Sequence, residues 1–187
     1  LLRVILNSRT YQASSRPNEF NDEDNTLFSH YHPHLLTAEQ LLDAVCQVTG
    51  VAETFPGLPP GTRATELSSP QLNNAFLKTF GQPPRASVCA CERLSEPQLA
   101  QALELLNGKF LHGKLEAKNS RPKTLLAVGR TVNEIVAELY FAALSRPPTT
   151  EEYRLAEKHV TQANDRAAAL EDVLWSILNL NEFLFQH

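Results

Sequence analysis

The chain has 187 residues, is 42% hydrophobic and 20% charged, and carries a formal net charge of −4. That composition lies in the range of chains that bury a core and excludes an intrinsically disordered one. The acidic balance argues against a general nucleic-acid role, which needs a basic footprint, and no apolar run approaches the roughly 18–20 residues that cross a bilayer.

The chain opens with "LLRVILNSRTYQ", which has neither an initiator Met nor a small-residue cleavage site. It reads as the middle of an amphipathic helix, so a fragment of a longer polypeptide is expected. Ser8, Thr10, Ser14 and Ser15 lack the context of a nucleophile elbow. They are read as the end of that helix with hydroxyls bonding back to the backbone, and Tyr11 as a core ring. Residues 15–36 form a long loop. Within it His30, His32 and His34 share a face if extended, a possible divalent-metal array. The plainer reading is a polar surface loop. Asp22, Glu23, Asp24 and Asn25 precede them but do not meet a calcium-loop pattern.

"TAEQLLDAVCQVTG" predicts a helix capped by Thr37 with Gln40, striped by Leu41, Leu42, Val45 and Val48, and stopped by Gly50. Cys46 lies on it and is expected to be buried. Residues 51–70 are a Pro/Gly-rich loop, long enough to suggest a functional or partner-covered segment. A short helix is expected near 70–80, and only 86–92 reads as extended.

Cys89 and Cys91 fall in that extended stretch, where i and i+2 side chains share a face. Buried thiols are the favoured reading, because free Cys is among the most buried residue types; a disulfide and a metal site are the alternatives. Structural zinc wants four ligands, usually from longer C-x₂₋₄-C arms. Glu92 and Arg93, with Arg85, are expected to form an ion-pair network that docks the segment on the next helix. Three cysteines are an odd number and too few for a disulfide scaffold.

From Ser95 the pattern is helical. "SEPQLAQALELLNG" carries Ser95 and Gln98 at its start, Pro97 in the first turn and Gly108 as its stop. Helices are also expected near 109–117 and 121–128. Thr131 with Glu134, and Thr149 with Glu152 after Pro147–Pro148, begin two more. The last, roughly 165–180, has Leu170, Val173, Leu174, Ile177 and Leu178 on one face, with Trp175 beside it in the core. Lys109, Lys114, Lys118, Arg121, Lys123 and Arg130 stand against a single acid, Glu116. Lys109, Lys114, Lys118, Arg121 and Lys123 make a candidate basic surface for an acidic protein or an anionic envelope polymer; a solvated helical face is the plainer reading.

The fold expected is all-α: an irregular or orthogonal bundle of about 6–8 helices with long loops and little or no sheet. Residues 1–187 form one helical domain, with the loop-rich 1–96 leaning on the 97–187 bundle.

Three stretches, "VILNSRTYQASSRPN", the block containing "VCACER" and "EPQLAQALELLNG", and the ending "ALEDVLWSILNLNEFLFQH", resemble a C-terminal planctomycete-specific domain of unknown function. The resemblance spans essentially the whole chain. It implies helices upstream of residue 1 and a natural end at His187. It also implies a large exported multidomain protein, placed in the periplasm or cell envelope, that often begins with a cytochrome c-like domain. Haem c would then sit in another domain, since this chain has no C-x-x-C-H. The family's basic residues before the "LTAEQ" helix are replaced here by His34, Leu35 and Leu36. The resemblance supplies no catalytic residue. The function expected is a non-catalytic structural or interaction domain that binds neighbouring domains of its parent. The alternative is part of a redox- or metal-dependent enzyme linked to the cytochrome c-like domain.

Overall fold

A computed structural model describes residues 1–24, 26–68, 74–83 and 99–186. Cys89, Cys91, Arg85, Glu92 and Arg93, the extended reading of 86–92 and the cap at Ser95 lie outside them. The described chain is mainly helical. It runs α1 (Leu2–Leu6), β1 (His34–Leu35), α2 (Ala38–Thr49), a 3-10 turn (Ala64–Glu66), α3 (Ala75–Thr79), α4 (Leu99–Asn107), α5 (Lys109–Glu116) and α6 (Arg121–Ala127). It closes with α7 (Val132–Leu144), α8 (Thr150–Gln162), α9 (Arg166–Leu178), α10 (Asn181–Leu184) and β2 (Phe185–Gln186).

Local chemistry sets most of these boundaries. Thr37, Thr131 and Thr149 each accept from the backbone N–H three residues on. The side chains of Gln40, Glu134 and Glu152 return the bond, so two orphan donors are satisfied at each start. α2 ends at Gly50, whose φ of 74° is left-handed. Gly108 does not stop α4 in that way. Its φ is −68°, and it is the residue on which the chain turns directly into α5. A Cβ there would lie 2.1 Å from the Glu104 carbonyl oxygen, so only glycine fits.

The core lies where α2, α7 and α9 converge. α7 packs on α6, α8 and α9, while α2 packs on α3, the 3-10 turn, α5, α6 and α7. Leu41, Leu42, Ile135, Leu139, Leu170 and Leu174 are fully buried, and the α9 stripe buries as its spacing predicted. Each such side chain removed from water stabilises by about 1.5–3 kcal/mol before entropy is counted. Trp175 is half-buried at the core's edge.

Residues 51–68 are held down by their own apolar side chains and by a carboxylate of α2. Phe55, Ala64 and Leu67 are buried, and the Asp43 carboxylate of α2 accepts from Ala64 N at 2.6 Å, Thr65 N at 3.1 Å and Thr65 Oγ1 at 2.8 Å. The small sheet pairs β1 and β2 antiparallel, with Leu35 opposite Phe185.

The opening departs from its expectation. α1 is a single short helix that buries none of its side chains. Tyr11 is 53% exposed rather than a core ring. Ser8 Oγ accepts from Tyr11 N, and Ser14 Oγ from Arg16 N. These hydroxyls therefore build turns instead of bonding back to helical carbonyls.

Candidate functional site

Arg146, in the link between α7 and α8, lines a large cavity. Its Nε and Nη2 donate to the two Glu182 oxygens at 2.7 Å each, and Nη1 and Nη2 reach the two Glu152 oxygens at 3.0 Å each. The guanidinium also stacks over Tyr140, 5.6 Å from its ring centre. One fork thus joins α8 and α10 by bidentate pairing, a geometry lysine cannot reproduce. The two carboxylates hold the guanidinium above its ordinary range, and Arg146, together with the Thr149 cap, pulls Glu152 down to about 2. Beside this clamp opens a cleft of about 870 Å³ walled by Arg16, Pro33, Asn181 and Phe185. Of its lining groups, Arg146 and Glu182 are engaged with one another, and the Thr149 hydroxyl caps α8.

A second groove, about 460 Å³, runs between α8 and α9 past Leu155, Val173 and Trp175. His159 Nε2 lies 3.0 Å from Asp172 Oδ2 at its rim. Both are at least half exposed. Reading the sequence by stretches missed this pair and the Arg146 clamp.

The candidate basic surface divides: Lys114 is buried, Arg121 and Lys123 are partly buried, and Lys109 and Lys118 are exposed. Lys114 is only 6% exposed. Its Nζ pairs with Glu53, donates to the Val51 and Ala52 carbonyls at 3.1 and 3.3 Å, and lies 5.0 Å from the Phe110 ring centre. Arg121 donates to the Val48 and Gln47 carbonyls at 2.8 Å each and pairs with Glu138. Lys123 donates to the Glu116 carbonyl and pairs with Glu171. Lys114 and Arg121 therefore satisfy carbonyls at and just beyond the end of α2, where orphan acceptors and the negative dipole end favour cations. That leaves Lys109 and Lys118 exposed. Burial pushes the half-buried Cys46 thiol up, against the opposing pull of Lys114.

Of the histidines, the structure brings His30 and His32 together, with ring centres 4.5 Å apart. His34 instead meets the Tyr31 ring edge-on and is exposed. Among the described residues no group of three His, Cys, Asp or Glu side chains is placed to hold a metal.

The model of a family described as PSD1, protein of unknown function (DUF1553), matches residues 1–160. The chain belongs to that family. No curated protein and no solved structure matches it. Among the described residues no helix is long and apolar enough to cross a membrane.

Proposed function

We propose that this member of the DUF1553 family is a non-catalytic interaction domain that docks against neighbouring domains of a longer polypeptide. One observation carries the reading. Nine of the seventeen exposed large apolar side chains among the described residues fall within residues 1–28, including Leu1, Leu2, Val4, Phe20 and Leu27. Such concentrations mark contact surfaces. The inward commitment of Lys114, Arg121 and Lys123 supports an apolar partner over an anionic polymer. Export to the cell envelope, and a cytochrome c-like domain bearing haem elsewhere in the polypeptide, belong to the same reading and rest on the resemblance of the quoted stretches. The alternative, a fragment of a redox- or metal-dependent enzyme, draws on Cys89 and Cys91 and on the paired histidines.

Hydrogen–deuterium exchange tests the docking. Amides 1–28 should be protected in the parent polypeptide and exchange fast in the isolated chain. Equal exchange in both would overturn the proposal.

A further inference from the structure

His30 Nδ1 and His32 Nε2 are both buried, and neither has a hydrogen-bond partner. Orphaned buried polar atoms are rare and call for a specific explanation, such as an ion or ordered water. Here two occur on adjacent rings. The loop that carries them is firmly built. Asp24 accepts from Thr26 N, Leu27 N, Ser29 N and Ser29 Oγ. Phe28 is held at φ 54°, a left-handed conformation costly for a bulky residue, and its ring meets His32 edge-on. Tyr31 N is tied to the Ser14 carbonyl.

We propose that His30 and His32 form a two-histidine site for a divalent transition metal, Ni²⁺ or Cu²⁺, with water in the remaining positions. Ring centres 4.5 Å apart leave the two imidazoles close enough to share one ion, and imidazole ligands suit Cu²⁺ and Ni²⁺. Each neutral ring offers its unpartnered nitrogen and carries its proton on the other. His34 takes no part.

The test is calorimetric titration of untagged, chelator-treated chain with Ni²⁺ alone. One equivalent should bind. Affinity should fall by at least roughly tenfold in His30→Ala and in His32→Ala, a loss in the range that even outer-shell changes produce, and stay unchanged in His34→Ala. His32→Gln, which keeps a polar side chain, separates lost ligation from lost loop structure, and circular dichroism checks each fold. In NMR spectra, Ni²⁺ should broaden the ring signals of His30 and His32 before those of His34. Absence of saturable binding by Ni²⁺ or Cu²⁺ would assign the orphan nitrogens to solvent and overturn the proposal. So would equal weakening by His34→Ala.

Discussion

Lys114 Nζ lies 2.8 Å from Glu53 Oε2, and the two residues come from opposite sides of the α2–α5 contact. The same ammonium bonds two carbonyls of the segment leaving α2, and Glu53 Oε1 also accepts from Asn74 Nδ2, which caps α3. One pair therefore fixes three elements. Lys114→Met should destabilise the fold by about 3 kcal/mol in urea unfolding, since it strands a largely buried carboxylate. Adding Glu53→Gln should recover part of that loss. A strictly additive double variant would show that the pair is not coupled.

Asp43 is the corresponding anchor for residues 51–68. Asp43→Ala leaves the buried Ala64 N–H without its acceptor and removes two bonds to Thr65. Hydrogen bonds to a charged group contribute about 1.5–3 kcal/mol each, less than additively, so a loss of about 3 kcal/mol is expected. Limited proteolysis should then cut first within 56–66. An unchanged cleavage pattern would mean that Phe55 and Leu67 hold the segment unaided.

The Arg146 clamp sets an acid dependence. Glu152 is depressed from its ordinary 4.5 to about 2. Its ionised form therefore stabilises the fold fully above about pH 4.5, and that contribution is lost as the pH falls toward 2. Urea midpoints measured between pH 6 and 2.5 should fall in this window, and Arg146→Met should flatten the fall. Some slope will persist, because Asp24, Glu134 and Glu151 are also lowered by their own partners. An acid slope identical in the variant would show that the clamp does not couple to folding.

Two glycines should respond oppositely to the same change. Gly108→Ala drives a methyl into the Glu104 carbonyl, backbone that cannot swing aside. A cost of about 1–3 kcal/mol is expected, typical of overpacking. Gly113 lies inside α5, and a methyl added there would meet nothing within 4 Å. Gly113→Ala should stabilise by about 0.5–1 kcal/mol. Thermal melts of the two variants compare them directly.

The sequence by itself determined what depends on residues three or four apart. The reciprocal Thr–Gln and Thr–Glu caps, the stripes of α2 and α9 and the left-handed Gly50 follow from spacing alone, because both partners belong to the same turn of chain. The tertiary structure decided everything whose partner is remote. A lysine run gives the sign of a charge, and only folding brought the carbonyls of residues 47, 48, 51 and 52 to Lys114 and Arg121, turning a candidate surface into the tether of α2. For the same reason the Arg146 clamp, Asp43 beneath its loop and the pairing of Leu35 with Phe185 were not readable. Their energy comes from ion pairs and hydrogen bonds closed across tens of residues, a distance over which sequence periodicity holds no information. The histidines show both sides. Their alternation suggested one face, and the fold keeps His30 and His32 together while His34 meets the Tyr31 ring and is exposed.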